Sequence, residues 1–284
     1  MFYLVFSILS STLIIVFFKL MAKFKVSVLQ AITVNYLIAS IFGFLSEPEA
    51  FKFIELPNKP WFSMAILVGI TLILGFNLFA LSAAKAGVVI TAIASRMSVL
   101  IPVLAGFILF GEPMGTLKII GIILALFAFY LTFLKKDKVR INIKVILLPF
   151  LMFIVMGTND TLMKVAETFS IGRDFVLFLS TSFLISLVLG IIVLIAKSKN
   201  EIFALKNVFA GIGLGLLNWY STYYFLKGLD LFDVSIVVPV INVGIVALSS
   251  IAGYFFFKEK LTRINWIGIF IAMAAISLMA FSIS

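Results

Sequence analysis

Arg96 is the residue whose type and position point most directly to chemistry. It lies about nine residues into a long apolar segment, beside Ser95 and Ser98. An arginine near the centre of a bilayer costs at least ~2.5–3.5 kcal/mol, so it should face a partner or a water-filled cavity. A guanidinium binds a carboxylate or phosphate through two parallel hydrogen bonds. Arg96 is therefore predicted to hold an anionic group of a substrate, and a buried ion pair within the helix bundle is the alternative.

Asp160 is the acidic residue that lies deepest inside a long apolar segment. Carboxylates at such depth often carry protons in pumps and transporters. Lys164 follows four residues later, a spacing that places both side chains on one helix face and favours a local ion pair. Asp160 and Lys164 are therefore predicted to have a proton-coupling role, with a structural charge pair as the alternative.

A polar and aromatic stretch runs from Asn218 to Tyr224. At helical spacing, Trp219 and Tyr223 share one stripe, and Tyr220 and Tyr224 share the next. Aromatic walls with a few polar groups are typical of small-molecule sites. We expect this stretch to line a substrate cavity, whereas an aromatic belt at the membrane surface is the alternative.

Amides recur inside other apolar segments, at Asn77, Asn159 and Asn242. Such groups most often join helices to each other by hydrogen bonds. Asn242 stands 147 residues after Ser95, the offset of an internal repeat described below. These three amides are predicted to supply hydrogen bonds to the substrate.

Two prolines and two glutamates mark helix interruptions and junctions. Pro102 and Pro239 would each free a backbone carbonyl and permit a kink, so they are predicted hinges. Glu112 and Glu259 occupy matching junctions, where a carboxylate stabilises the N-terminal end of the helix that follows. We interpret the two glutamates as structural.

The composition limits which classes of protein these residues can belong to. Apolar residues make up 63% of the 284 residues and charged residues 12%, about half the usual share in soluble domains. With no Cys and no His, the sequence excludes disulfides, Cys/His metal sites and a Ser-His-Asp triad. It also lacks a Walker A motif. We therefore expect that the protein is not an enzyme and that it binds neither a metal nor a cofactor.

Ten apolar stretches are each long enough to cross a bilayer, which needs about 20 residues per helix. They cover roughly 2–22, 27–46, 61–82, 88–110, 116–134, 143–163, 174–196, 207–228, 233–257 and 263–283. Open sheets leave unpaired backbone groups in lipid, so these stretches are predicted to be helices. The predicted fold is an all-α integral membrane protein, and the net charge of +10 fits cytoplasmic loops better than nucleic acid.

The sequence repeats with an offset of 147 residues. Between residues 105–128 and 252–275, nine of 24 positions are identical, and the shared pattern is Ala-Gly, Glu six residues on, and Gly nine further. Each repeat holds five helices, an odd number, so the second enters the membrane from the opposite side. The sequence therefore predicts two inverted five-helix repeats, residues 1–140 and 141–284, an architecture typical of secondary transporters.

The chain resembles the drug/metabolite transporter superfamily, in its EamA branch, over nearly its whole length. The resemblance rests on the segment from Gly157 to Lys164, on Ala80-Leu81 followed by Lys85, and on the glutamates at the two matching junctions. It departs from the family at Thr12, where a glycine is usual, and at Ser98 and Ile245, where prolines are usual.

Together these observations predict a secondary transporter that works by alternating access in the inner (plasma) membrane. Its partners would be the lipid bilayer and a small anionic or zwitterionic solute such as an amino acid, and the resemblance implies export. The alternatives are a transporter of neutral sugars or nucleosides and a non-transporting receptor or scaffold. Orientation stays open, since Lys and Arg counts place the termini outside the cytoplasm and the resemblance implies the reverse. Monomer and homodimer also both stay open.

Overall fold

The computed structural model describes residues 2–46, 53–85, 95, 97–113, 115–133, 143–171, 174–197, 204–257 and 262–281. The described residues form ten α-helices, with a 3₁₀-helix at Phe53–Asn58 and a π-helical turn at Glu167–Ile171. The α-helices are α1 Phe2–Lys23, α2 Val28–Ser46, α3 Phe62–Lys85, α4 Leu100–Phe110, α5 Thr116–Phe133, α6 Ile143–Ala166, α7 Phe175–Lys197, α8 Leu205–Leu231, α9 Val234–Phe257 and α10 Arg263–Phe281.

Each helix lies within or close to one of the ten apolar stretches, so the predicted all-α class is confirmed for the described residues. Four of their helices are long and apolar enough to cross a membrane, namely Val28–Ser46, Phe62–Phe79, Phe175–Ala196 and Val234–Phe256. Shorter apolar helices occur at Phe2–Phe18, Leu100–Phe110, Thr116–Ala128 and Trp266–Ala275. The fourth predicted span began at residue 88, and residues 86–94 and 96 lie outside the described ranges.

The chain divides into two compact units that are interleaved along the sequence. The first contains Met1–Ile73 and Leu162–Asp230, and the second contains Leu74–Thr161 and Leu231–Ser284. Each unit therefore takes segments from both sequence halves.

Close helix packing in the first unit depends on two glycines. A Cβ at Gly69 of α3 would lie 2.8 Å from the Cβ of Ile185 and 2.8 Å from a carbonyl oxygen of α7. A Cβ at Gly215 of α8 would lie 2.8 Å from the Cβ of Ile38 and 2.7 Å from a carbonyl oxygen of α2. Small residues let helix backbones approach in this way, as is common between membrane helices. Thus α3 packs on α7 in the same manner as α8 packs on α2.

Helices α2 and α7 pack against each other in an antiparallel arrangement at the centre of the first unit. A Cβ at Gly43 would meet the Ser180 hydroxyl, and a Cβ at Gly190 would lie 3.6 Å from the Thr33 hydroxyl. Gly190 follows Gly43 by 147 residues, and Ser180 follows Thr33 by the same offset. The two contacts are therefore reciprocal. The rings of Tyr36 and Phe183, also 147 residues apart, lie between them with centroids 6.1 Å apart.

In the second unit, α5 packs against α10 through faces with matching sequences. The buried residues of both faces are repeat equivalents, namely Gly121, Ile122, Ala125 and Ala128 in α5 and Gly268, Ile269, Ala272 and Ala275 in α10. The identities at these positions thus have a packing reason, because small and aliphatic side chains let two helices approach.

Helix α4 ends at Phe110 because Gly111 adopts the left-handed conformation, with a φ of 63°. The N–H of Glu112 then donates to the carbonyl of Gly106 at 3.1 Å, which satisfies a carbonyl of the last turn. This turn fixes the position from which the Glu112 side chain leaves the helix.

We predict that Gly69→Ala and Gly215→Ala lower the thermal unfolding temperature of the protein in detergent. Both new methyl groups meet backbone and branched side chains that cannot move aside, and such overpacking costs ~1–3 kcal/mol. Gly190→Ala is the control, because its methyl group finds ordinary contact distances and gains about 0.5–1 kcal/mol of helix propensity. Equal unfolding temperatures for the three variants would contradict the packing described here.

Candidate substrate-binding region

The polar and aromatic stretch of α8 forms the stripes that its spacing predicts. The Trp219 ring stacks on Tyr223 with a centroid distance of 5.0 Å and an angle of 8°. Tyr220 stacks on Tyr224 at 6.1 Å and 20°. Trp219 is buried at 5% relative exposure, whereas Tyr220 is exposed at 38%. Trp219 and Tyr220 therefore lie in different environments, whereas Tyr223 and Tyr224 are both half-buried.

Helices α1 and α2 cover this stretch with further aromatic side chains. Phe42 of α2 meets Trp219 edge-on at 5.2 Å, and Phe6 of α1 lies 5.3 Å from Tyr224. The Ser11 and Ser221 hydroxyl groups are hydrogen bonded at 2.6 Å, which joins α1 to α8. The Ser221 hydroxyl group thus serves helix packing.

Four buried polar side chains of the first unit have atoms that make no hydrogen bond with the rest of the described chain. The atoms are the Trp219 indole nitrogen, the Asn218 amide nitrogen, both amide atoms of Asn35 and the Thr181 hydroxyl oxygen. A buried donor without a partner costs about 1–3 kcal/mol. These unpartnered atoms therefore destabilise the folded protein.

The other predicted amides belong to the second unit. Asn77, Asn159 and Asn242 are half-buried on α3, α6 and α9. The Asn242 amide nitrogen donates to the Val238 carbonyl at 3.0 Å, and Asn77 and Asn159 also have interaction partners. The structure thus groups the α8 residues in one unit and these amides in the other.

Of the three predicted charged residues, the structure describes Asp160 and Lys164. Arg96 lies outside the described residues, while Ser95 beside it donates to the Met156 sulfur at 3.2 Å. Asp160 is half-buried and has an interaction partner. Lys164 binds Glu167 at 2.7 Å and donates to the Leu229 carbonyl at 2.6 Å. The lysine therefore stabilises the C-terminal end of α8, where a positive charge is favourable.

The two predicted hinges occupy different helix positions. Pro102 is buried in the first turn of α4, directly after a turn at Ser98 and Val99. Pro239 is buried inside α9, which continues past it to Phe257. A proline in a first turn removes no helical hydrogen bond, whereas one in the interior does.

Glu112 stabilises a helix, but not the one that follows it in sequence. Its carboxylate accepts hydrogen bonds from the backbone N–H groups of Val234 at 2.7 Å and Ser235 at 3.1 Å, and from the Ser235 hydroxyl. It therefore caps α9, and the expectation that it serves α5 is wrong. Lys118 of α5 lies 3.6 Å from Glu112 and 2.8 Å from Asp233. Glu259 lies outside the described residues.

Asp174, at the N-terminal end of α7, ties this helix to the start of α3. One oxygen of its carboxylate accepts hydrogen bonds from the Lys59 ammonium and the Trp61 indole, both at 2.9 Å. Desolvation by burial raises the pKa of Asp174, but these two hydrogen bonds and the attraction of Lys59 outweigh it, so the pKa lies below the usual value of 3.8. The ionised carboxylate therefore stabilises this end of the unit.

Sequence reasoning did not single out Asp174, Trp61 or Lys118. Their partners lie more than 100 residues away along the chain, so no local pattern reveals them. For Glu112, the repeat indicated that the residue lies at a helix junction. It did not indicate which helix the carboxylate caps.

Comparison with known proteins identifies the family. A model of the EamA-like transporter family matches residues 1–134 and 143–281. The chain therefore belongs to the EamA-like transporter family, which confirms the resemblance noted in its sequence. Proteins of this family are membrane transporters of small solutes and not enzymes, so the chain is a multi-pass membrane protein of a transporter family.

Two further proteins are similar to the chain over nearly its whole length. An uncharacterised protein of Haemophilus influenzae is 30% identical over 286 residues, which cover 96% of this chain and 95% of that protein. A protein crystal structure matches with a TM-score of 0.82 and 11% identity, over 99% of this chain and 96% of the other. At that identity the second similarity shows the fold alone.

We predict that Asp174→Asn lowers the unfolding temperature at neutral pH, because it removes the charge that Lys59 attracts. A carboxylate with a lowered pKa stabilises the folded state above its unfolded-state pKa and loses this effect as the pH falls through its folded-state pKa. The difference from wild type should therefore be constant at neutral pH and shrink once the pH falls below about 3.8. Asp230→Asn, at an exposed position, is the control. A difference that does not depend on pH would contradict the ion pair.

Proposed function

We propose that the protein is a secondary-active transporter that exports a small polar metabolite by alternating access. Its ten helices would all span the inner membrane, as two inverted five-helix repeats covering residues 1–140 and 141–284. The observation that carries this proposal is the reciprocal contact between α2 and α7, in which Gly43 meets Ser180 and Gly190 meets Thr33.

Reciprocal contacts between repeat equivalents are expected when two copies of one fold are related by a two-fold axis. Helices α2 and α7 run antiparallel, as they must if one repeat is inverted relative to the other. Inverted repeats give a transporter two related conformations, one open to each side of the membrane. The reciprocal packing therefore supports alternating access.

For the substrate, we favour an anionic or zwitterionic compound such as an amino acid. This choice rests on Arg96, whose guanidinium would bind the carboxylate through two hydrogen bonds. The aromatic residues Trp219, Tyr220 and Tyr223 would line the cavity. The amides Asn77, Asn159, Asn218 and Asn242 would donate and accept further hydrogen bonds.

A neutral sugar or nucleoside is the second candidate substrate, and the α8 stretch favours it. The unpartnered atoms of Asn218 and Trp219 are uncharged, and Trp219 lies among stacked rings. Uncharged donors beside aromatic rings suit hydroxyl and carbonyl oxygens on a flat ligand. In that case Arg96 would be paired inside the protein.

Coupling and gating would depend on two charged residues of α6 and on two prolines. Asp160 would carry a proton and Lys164 would respond to its charge, since they lie one turn apart on α6. Lys164 donates a hydrogen bond to the Leu229 carbonyl at the end of α8, so a change in the charge of Lys164 would weaken its contact with this helix. Pro102 and Pro239 would act as hinges, and the transporter would work as a monomer or a homodimer.

We predict that an anionic or zwitterionic metabolite raises the unfolding temperature of the purified protein and that Arg96→Gln abolishes this shift. A ligand at 100 times its dissociation constant stabilises a protein by ~2.7 kcal/mol. The panel should contain amino acids, other carboxylates, phosphates, sugars and nucleosides. Arg263→Gln, at an exposed position of α10, controls for the loss of charge.

Flux of the same compound into proteoliposomes would then test transport. If a neutral compound stabilises the protein and Arg96→Gln only lowers the starting unfolding temperature, Arg96 is structural and the second candidate substrate replaces the first.

A further inference from the structure

The first unit builds the same three-helix junction twice. Each junction consists of a glycine, a hydroxyl residue and a larger side chain from three different helices, namely Gly43, Ser180 and Trp219 in the first and Gly190, Thr33 and Ile73 in the second. The glycines and the hydroxyl residues are repeat equivalents at an offset of 147. The α3 and α8 residues are equivalent at an offset of 146, as the matching contacts of Gly69 and Gly215 show.

The two junctions differ in polarity at neighbouring positions of α3 and α8. Where α3 has Leu72 and Ile73, α8 has Asn218 and Trp219. The indole nitrogen of Trp219 and the amide nitrogen of Asn218 are buried and make no hydrogen bond within the described chain. The Trp219 nitrogen and the Ser180 hydroxyl both lie within 2.7 Å of the point that a Cβ on Gly43 would occupy.

The apolar junction shows that this packing arrangement does not require polar side chains. Leu72 and Ile73 occupy the equivalent positions, and the Ile73 Cδ1 lies 3.6 Å from the point that a Cβ on Gly190 would occupy, so an apolar residue can close an equivalent, wider junction. Each of the two buried donors without a partner destabilises the folded protein. Helix packing alone therefore does not account for Asn218 and Trp219, and a ligand that accepts their hydrogen bonds does.

We infer that Asn218 and Trp219 form a binding site for an uncharged acceptor oxygen, a carbonyl or hydroxyl group of the transported solute. An indole N–H only donates, and an amide nitrogen also donates, so the ligand atom must accept. No described hydrogen bond or ion pair joins either residue to a charged side chain. Phe42 and Tyr223 border the indole ring, so the surroundings of this donor are aromatic and uncharged. The inference rests on the proposed transport function and names a site for it.

The natural chain has no cysteine, so single cysteines can report which junction a solute reaches. Ser180→Cys places a thiol beside Trp219, and Thr33→Cys places one at the equivalent point beside Ile73. The two hydroxyl groups are matched, because each is buried and donates to the carbonyl four residues earlier. Both variants would be treated in membrane vesicles with neutral N-ethylmaleimide and with the anionic sulfonatoethyl methanethiosulfonate.

N-ethylmaleimide should label Ser180→Cys at least about tenfold faster than Thr33→Cys. A thiol reacts as its thiolate, which apolar surroundings suppress and a hydrated path for polar solutes permits. The sulfonate reagent should label neither variant at an appreciable rate, because an unpaired charge is costly to bury at this junction. Equal labelling of both variants by N-ethylmaleimide would overturn the site, and fast labelling by the sulfonate would overturn its preference for uncharged groups.

A second variant separates ligand binding from packing. Asn218→Leu introduces the residue found at the equivalent position of α3, which has the same number of side-chain heavy atoms in the same branching pattern. In the Ser180→Cys background it should preserve the unfolding temperature and reduce N-ethylmaleimide labelling to the rate of Thr33→Cys. A lower unfolding temperature with unchanged labelling would show that the amide has a structural role, and would overturn the inference.

The experiments distinguish a failure of the proposed binding site from a failure of the proposed transport function. Slow labelling of Ser180→Cys combined with substrate flux in proteoliposomes rejects the site and leaves transport intact. Fast labelling combined with no flux of any compound in the panel rejects transport and leaves a polar binding site.

Discussion

The close approach of helix backbones at Gly69 and Gly215 is the constraint on which the first unit depends. Lipid tails are as apolar as leucine, so membrane helices gain little from burying apolar surface against each other and associate through close packing and hydrogen bonds. Each glycine places its helix against a carbonyl oxygen and an isoleucine of a central helix, Gly69 against α7 and Gly215 against α2. With both outer helices fixed in this way, the pairing of α2 with α7 brings Gly43 and Gly190 to their reciprocal contacts.

Because the two repeats share one packing scheme, the positions at which they differ point to residues with roles other than packing. Ile73 closes one junction, whereas Trp219 places a buried donor in the other. The ends of the central helices differ in a similar way. Asp174 joins the start of α7 to Lys59 and Trp61 by charged hydrogen bonds, whereas Ser27, 147 residues earlier, is joined to the neutral amide of Asn207. Packing residues are thus shared between the copies, and polar residues distinguish them.

Much of the helical framework could be predicted from the sequence, because crossing a bilayer requires long apolar stretches. The position of Trp219 and Tyr223 on one stripe also followed from helical spacing alone. In contrast, the cap that Glu112 provides for α9 joins residues more than 120 positions apart and has no local signal. The equivalence of Ile73 and Trp219 was hidden because the repeat offset changes from 147 to 146 between α7 and α8. The interleaved units were likewise unforeseen, since they depend on which helices pack together.

The inversion of the two repeats is the central claim, and the sidedness of the starts of two equivalent helices tests it most directly. Asn58 lies four residues before the first residue of α3, Leu205 is the first residue of the equivalent helix α8, and both residues are exposed. Asn58→Cys and Leu205→Cys would be labelled with a membrane-impermeant maleimide in intact cells and in inverted vesicles. The inverted arrangement predicts that one cysteine is labelled only from outside and the other only from inside. Labelling of both from the same side would contradict it.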